Sequence, residues 1–385
     1  MKSIIVSDLH AGELSHGSID PETGYNTRLL DTKRILEEVV EYSIKHNIEN
    51  IIIAGDIYNI KNPKNFVRFV FASVITKAVR ANKKVYIITG NHDQTSSHYG
   101  GHSLSEMQKM SAIIDNLKII SYPEIIKVGN IQFGFFPYVN KGECGILDDS
   151  TFNDWNKEQL LKMSKELDKE YKSILICHLE TDKSLVHVYE ETLGNVIELS
   201  FLKKLKFNLI FSGHIHKKQQ LSKNIYHIGS MVKTSFNEEG EEKYFAVVNH
   251  DDLHIEFIKT NDREFKTFKI DLSESTKKLA AFIRKIKNTD VSEMITRLVV
   301  KVNADDLESI ETMNEVYEDL FKRSWKCVGK EEEIVREDME STKISDKHAP
   351  SDALKTFILE NKEMFGDDSE ACKKEGLSII EEVKK

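Results

Sequence analysis

Proline and cysteine are both scarce in this chain of 385 residues, at 5 and 4. The cysteines, Cys144, Cys177, Cys327 and Cys372, are widely spaced and form no C-x-x-C pair. Neither a disulfide framework nor a cysteine-based zinc site is therefore indicated, and a reducing compartment is expected. The 18 glycines follow no period, which excludes a collagen-like chain. No apolar run approaches the roughly 20 residues that span a bilayer, and the opening MKSIIVSDLH turns polar after a few residues. Neither a membrane helix nor a secretory leader is therefore expected, and the expected location is the cytoplasm. An excess of positive charge is missing too: the net charge is -9. This argues against a protein that merely coats nucleic acid, because such binding neutralises phosphates with Lys and Arg. The acidity is uneven, however. Residues 331–385 hold 16 acidic against 9 basic side chains, about -7 of the total, and leave about -2 for residues 1–330.

What is present is enough apolar material, 40% of residues, for two or three domains. Short β-branched runs at residues 4–6, 51–54, 85–89, 174–177 and 209–211 read as buried strands. Amphipathic stretches alternate with them. Residues 32–46 place Ile35, Val39, Tyr42 and His46 on one face, and residues 65–80 do the same with Phe66, Phe69, Val70, Ser73 and Val74. Alternating strands and helices predict an α/β sheet. From about residue 225 to 258 the texture changes to strand-like pieces, YHIGSMV, KYFAVVN and LHIEFI, which read as meanders or hairpins. A smaller α+β unit is expected over 271–330, a polar linker over 331–351, and two amphipathic helices over 352–385 with Leu354, Phe357, Ile358, Leu377, Ile379, Ile380 and Val383 as apolar positions.

Each of the five strand candidates is followed at once by groups that bind metals: Asp8 and His10, Asp56, Asn91 with His92 and Asp93, His178, then His214 and His216. In open α/β sheets, ligands bind beyond the carboxyl ends of the strands, so these five endings would converge on one rim. The D-x-H and H-x-H spacings put residues i and i+2 of an extended segment on the same side. Asp8, His10, Asp56, Asn91, His178, His214 and His216 are too many for one tetrahedral ion. Two adjacent ions would use them all, with the two oxygens of Asp56 suited to bridging. The mixture of imidazole, carboxylate and amide oxygen favours manganese, iron or zinc over calcium or magnesium. Such a centre makes a bound water acidic and clamps phosphoryl oxygens. His92, displaced by one residue from the ligands, is assigned transition-state stabilisation or protonation of the leaving oxygen, with Asp93 as its orienting partner.

The ordered set DLH, GDIYN, GNHD, CH and GHIH, within residues 8–216, resembles the calcineurin-type metallophosphoesterase superfamily. That resemblance implies a four-layer α/β/β/α sandwich, with Asp8, His10, Asp56 and His216 around one metal and Asp56, Asn91, His178 and His214 around the other. Within the superfamily the chain is most similar to SbcD-type DNA repair nucleases, phage recombination subunits included. The carriers are the segment LDTKRILEEVVEYSIKHNIENIIIAGDIYN, the element HIGSMVKTSFNEEGEEKYFAVV, and the βαβ-like unit with its terminal helix pair. The likeness implies two Mn2+ ions, with Mg2+, Fe2+ or Zn2+ as substitutes. It implies 3′-5′ exonuclease action on duplex DNA and endonuclease action on single strands. It also implies a homodimer, an SbcC-type ABC ATPase bound through the C-terminal helices, no membrane partner, and the host cytoplasm if the gene is carried by a phage. Asn59 stands where relatives often have Asp or His, near the phosphate path, and Met231 replaces a common Pro. Asn59, Lys61 and Lys217 are the expected substrate contacts.

Charge offers a separate argument for a polymeric substrate. Residues 57–92 hold seven basic side chains and no acid, and residues 200–237 hold seven Lys and no acid. Flanking the metal motifs as they do, they predict a surface that tracks a phosphate backbone. His16, His98 and His102 read as solvated loop residues, and Trp155 and Trp325 as anchors of core or interface. Two other functions fit the same residues: a phosphomonoesterase or cyclic-nucleotide phosphodiesterase, and a metal-free scaffold that only binds partners.

Overall fold

A computed structural model describes residues 1–94, 101–146, 148–185, 196–273, 275–335, 350–360 and 369–383. In chain order the strands are β1 (Lys2–Val6), β2 (Asn50–Ala54), β3 (Lys84–Ile88), β4 (Leu117–Ile120), β5 (Glu124–Val128), β6 (Ile131–Phe136), β7 (Lys172–His178), β8 (Glu180–Thr181), β9 (Val196–Ile197), β10 (Leu209–Gly213), β11 (Gln219–Ser222), β12 (Ile225–His227), β13 (Tyr244–Asn249), β14 (Ile255–Lys259), β15 (Phe265–Asp271), β16 (Ile295–Asn303) and β17 (Lys326–Val335). The helices are α1 (Thr27–Lys45), α2 (Asn65–Arg80), α3 (Ser105–Ser111), α4 (Asp149–Glu166), α5 (Leu199–Leu202), α6 (Leu279–Asn288), α7 (Leu307–Arg323), α8 (Pro350–Glu360) and α9 (Ser369–Val383).

The strands that carry the metal motifs are buried on both faces, which is why no polar alternation marks them in the sequence. One sheet runs β14-β13-β1-β2-β3-β4 and a second runs β11-β12-β10-β7-β6-β5. Within each strand the two faces serve different layers. Ile5, Ile52 and Ile88 of the first sheet meet Phe133, Phe135, Ile174, Ile176 and Phe211 of the second, forming the central core. Ile4, Val6, Ile51, Ile53 and Ile87 instead pack beneath Ile35 and Val39 of α1 and Val70 and Val74 of α2. On the far side, Leu160 and Met163 of α4 and Leu199 and Leu202 of α5 cover Leu175, Cys177 and Ile210. The result is the expected α/β/β/α sandwich.

Strand direction decides where the chemistry lies. β1, β2, β3 and β4 are mutually parallel, as are β6, β7 and β10, so the motif loops leave their sheets at the carboxyl ends of the strands. The expected hairpin texture over residues 225–258 holds for β13 and β14, which pair antiparallel. It fails for β12, which joins the other sheet, parallel to β10 and antiparallel to β11. Residues 228–232 are not strand but a loop beneath the metal motifs. An apolar run does not say which sheet it enters.

The chain divides into two compact units: Met1–Lys269 with Arg284–Leu298 and Val316–Lys330, and Ile270–Ile283 with Val299–Glu315 and Glu331–Lys385. A small sheet follows the order β15-β16-β17. β17 continues to Val335, into the stretch whose polarity reads as a linker, because an exposed edge strand needs few apolar residues. Residues 336–349 lie outside the described residues. In the second unit α8 and α9 pack closely where Gly376 meets Leu354; a Cβ on Gly376 would approach Leu354 Cδ2 to 2.7 Å. Ile358 is buried there, whereas Leu359 and Ile379 face solvent. No described helix is long and apolar enough to cross a membrane.

Candidate metal centre

The loops after β1 and β2 run side by side. Asp8 N–H donates to the Gly55 carbonyl at 3.1 Å, His10 N–H to that of Asp56 at 3.1 Å, and Ala11 N–H to that of Ile57 at 2.8 Å. Four of the candidate ligands adopt left-handed backbone conformations: Asp8 (φ 52°), His10 (43°), Asp56 (52°) and His214 (80°). L-residues pay for that geometry, and such residues cluster where a fold must aim a side chain. Small neighbours make the convergence possible. A Cβ on Gly90 would lie 2.2 Å from Asp56 Oδ1, and one on Gly55 or Gly213 would strike His178 Nδ1 at 2.3 or 2.9 Å.

The seven candidate ligands come together as two overlapping sets. On one side His10 Nε2 lies 2.9 Å from His216 Nε2 and 3.8 Å from Asp56 Oδ2, with Asp8 near His10 and His216. On the other, His178 Nε2 lies 3.0 Å from Asn91 Oδ1 and 3.4 Å from Asp56 Oδ2, and His214 Nδ1 lies 3.2 Å from the same Asn91 oxygen. Asp56 borders both sets, as a bridging carboxylate must. All seven are buried except His216, which is partly exposed.

The donor atoms fit cations better than they fit each other. His178 Nδ1 donates to the Ala54 carbonyl at 2.9 Å, so a neutral ring turns a lone pair toward two oxygens. Burial opposes a charge on that ring, yet the Asp56 carboxylate overrides it and pushes its pKa up to about 9. Burial likewise opposes ionisation of Asp56, but His178, His10 and His92 hold its carboxyl well below the usual range. His10 moves the other way, lowered by burial and then by His216. The Asp56 carboxylate thus favours positive charge at this point, a requirement that a bound cation would meet. His214 Nε2 and His10 Nδ1 are buried with no hydrogen bond. Borderline first-row ions match this set of imidazole, carboxylate and amide oxygen.

A family model described as calcineurin-like phosphoesterase matches residues 1–218, more than half of the chain. The chain belongs to that family. This phosphoesterase chain is 25% identical over 258 residues to the D component of the SbcCD nuclease of Staphylococcus epidermidis, covering 65% of this chain and 66% of that one. It is 22% identical over 337 residues to the DNA double-strand break repair protein Mre11 of Archaeoglobus fulgidus, covering 82% and 71%. It thus spans about two thirds of the length of these relatives. Among solved structures, a dimetal phosphatase from Danio rerio aligns over 68% of this chain and 96% of its own, with 12% identity and a TM-score of 0.43. The phosphoesterase fold implies a dinuclear metal site, and the clustered Asp and His side chains could hold it.

Of the two expected catalytic residues, His92 reaches the site. His92 N–H donates to Asp56 Oδ1 at 2.9 Å, its ring stands 4.9 Å from that of His10, and its Nδ1 lies 3.0 Å from the Asn59 carbonyl oxygen. A carbonyl only accepts, so Nδ1 carries the proton and Nε2 remains for exchange with a ligand. Asn59 therefore acts on His92 through its backbone. Asp93 is turned away from His92: its buried carboxylate accepts from the N–H groups of Gly90 (2.9 Å), Ile57 (3.1 Å) and Tyr58 (3.2 Å). Burial, and then the Asp56 charge, raise its pKa to about 7 against those hydrogen bonds. It ties the loop after β3 to the loop after β2. Lys61 is exposed, and Lys217, also exposed, lies 3.6 Å from Glu241.

The basic stretches need correction. Lys83 and Lys233 are buried, donating to the Ser43 carbonyl and to Asp262, while Lys64 and Lys77 pair with Glu13 and Glu41. Lys218 lies over the Tyr244 ring, 3.5 Å from its centroid. Arg80, Lys203, Lys204 and Lys206 precede β3 or β10, Lys84 opens β3 and Lys223 precedes β12, whereas the metal motifs follow β3 and β10. A strand of five residues separates its ends by roughly 17 Å. That leaves Lys61, Arg68, which lies 3.8 Å from Glu106, and Lys217 as the basic side chains of these stretches nearest the metal motifs in the chain. Of the loop histidines, His102 is buried against Gln108, His16 sits against Phe236 and Phe265, and His98 lies outside the described residues.

Sequence reading missed three buried groups. The Ser7 hydroxyl donates to the Asp8 carboxylate, Glu180 lies 3.8 Å from His214 Nε2, and Glu238 lies 3.7 Å from His216 Nδ1. Burial opposes a charge on Glu238, but His216 and Lys243 hold its carboxyl well below the usual range. Glu238 sits in the run FNEEGEEK, where an acid reads as part of a solvated turn.

Proposed function

We propose that this chain is a metal-dependent DNA phosphodiesterase, the nuclease subunit of an SbcCD-like complex. It would degrade duplex ends 3′ to 5′ and cut single strands internally, with an ABC ATPase bound to α8 and α9 and a second copy of the chain completing a homodimer. One observation carries the choice of DNA over other phosphate esters: the likeness to the nuclease and break-repair proteins extends well past the phosphoesterase region at residues 1–218.

Asp8, His10, Asp56 and His216 would hold one ion, and Asp56, Asn91, His178 and His214 the other. When bound, two manganese ions would make a water acidic enough to attack phosphorus near neutral pH and would neutralise the phosphoryl oxygens. The chain supplies the rest. His92, oriented by the Asn59 carbonyl, presents Nε2 to protonate the departing sugar oxygen. Asp93 keeps the His92 loop in register with Asp56. Asn59, Lys61 and Lys217 border the path of the backbone.

The small number of basic side chains on the ligand side favours a second reading, a phosphomonoesterase or cyclic-nucleotide phosphodiesterase. One assay separates the two: manganese-supplemented incubation with end-labelled duplex and with circular single-stranded DNA, with and without the partner ATPase, beside p-nitrophenyl phosphate and a cyclic nucleotide. Shortened duplex and nicked circles are expected. Fast turnover of the small esters with both DNAs intact would overturn the nuclease reading.

A further inference from the structure

We propose that Glu238, clamped by Lys243, is a positioning residue that fixes the His216 ring and, through it, the Asp8–His10–His216 side of the metal centre. The inference rests on the reading of this site as a dinuclear centre.

Glu238 is a buried carboxylate held from several directions. Its Oε1 accepts from the Thr234 N–H at 3.0 Å and the Thr234 hydroxyl at 2.6 Å, and its Oε2 accepts from the Lys243 ammonium. With that many donors the carboxylate has one available orientation, and it places Oε1 3.7 Å from His216 Nδ1. That separation is too long for a hydrogen bond, but a buried negative charge there still favours the tautomer with its proton on Nδ1. Nε2 then keeps its lone pair, and it is Nε2 that stands 2.9 Å from His10 Nε2. A carboxylate behind a ligating imidazole both orients the ring and raises its basicity.

The backbone of His216 is held by the same group of residues. Its carbonyl accepts from Lys243 Nζ at 3.1 Å and from the Ser230 N–H at 3.0 Å. Gly229, at φ 85°, lets that loop close; a Cβ there would meet the His216 oxygen at 2.9 Å and the Lys218 nitrogen at 2.7 Å. Lys243 therefore touches both the carboxylate behind the ring and the carbonyl of the residue that bears it. Lys243 immediately precedes β13, so the ring is tied to a strand of the first sheet, whereas His216 follows β10 of the second. On the other side of the centre His178 Nδ1 donates to the Ala54 carbonyl at 2.9 Å, and Glu180 lies 3.8 Å from His214 Nε2.

The test uses the full chain, stripped with a chelator and titrated with Mn2+ alone in a calorimeter, followed by electron paramagnetic resonance of the loaded protein. Wild type should take up two ions and show a spin-coupled pair. Glu238→Gln should keep one ion at wild-type affinity and bind the other about 10- to 100-fold more weakly, with the signal of an isolated Mn2+. Because that variant leaves Lys243 buried without its main counter-charge, the double variant Glu238→Gln/Lys243→Met is measured beside it. A double variant that melts like wild type but still binds the second ion weakly supports the proposal. One that melts like wild type and binds both ions at wild-type affinity overturns it. If neither chain folds, Thr234→Val decides, since it removes one donor from Glu238 Oε1. Several-fold weakening of one ion would support the proposal, and unchanged binding of both would overturn it. A wild-type chain that takes up no ion overturns the metal-centre reading itself, which separates the two failures.

Discussion

His92 is bound to the site by its backbone and released from it by its ring: the N–H donates to Asp56, while Nδ1 is spent on Asn59. His92→Ala should therefore leave two-ion uptake intact and lower DNA cleavage about 10²- to 10⁴-fold, read from calorimetry and initial rates on one preparation. A different histidine, His250, contributes to acid sensitivity. His250 is buried with Nε2 2.8 Å from the Ser3 hydroxyl, and burial, then the N-terminal ammonium, push its pKa down to about 4. Its folded pKa is below the unfolded value of 6.5, so the unfolded chain binds the extra proton between those values. Stability contributed by His250 is complete above about pH 6.5 and is lost as pH falls toward 4. In urea melts of chelator-treated protein at pH 7.5 and 5, His250→Gln should lose less stability between the two than wild type; an equal loss would refute this role. At this scale the clustering of the candidate ligands was legible because D-x-H, G-N-H-D and H-x-H restrict both identity and spacing. Glu238 was not, because its partner His216 lies 22 residues away and nothing local marks it.

Strand polarity explains why sequence neighbours of a motif need not be neighbours of the site. Lys84 opens β3 and Asn91 follows it; Lys206 precedes β10 and His214 follows it. The charge-reversing triple change of Lys203, Lys204 and Lys206 to Glu should thus leave DNA affinity and its salt dependence unchanged. Lys61→Glu with Lys217→Glu should weaken binding several-fold and flatten the slope of log affinity against log salt by about 1 to 2. Fluorescence anisotropy over a salt series would check both, and a larger effect of the triple change would place the DNA path elsewhere. The strands bearing the motifs were readable because β-branched runs buried on both faces are distinctive. β12 was not correctly placed, since the same apolar letters serve a hairpin or a crossover, and β17 was missed in part because its outer residues are charged.

Across the whole molecule, the net charge of -9 and the segregation of acid into residues 331–385 place most of the negative charge outside the phosphoesterase region. Metal should act on that region as a ligand that binds only the folded state. At a free Mn2+ concentration 100 times the dissociation constant, each ion should add about 2.7 kcal/mol of stability. A rise in melting temperature of several degrees, reversed by chelator, is the expected calorimetric result, and no shift would count against the centre. The left-handed backbone at Asp8, His10, Asp56 and His214 opposes that gain in the metal-free chain, at roughly 1 kcal/mol for each position. Selection for heat resistance alone would thus pull these four positions toward glycine, while selection for catalysis holds them as acid and imidazole. In a screen of random variants in the absence of metal, the most thermostable survivors should be enriched in changes that abolish the enzyme.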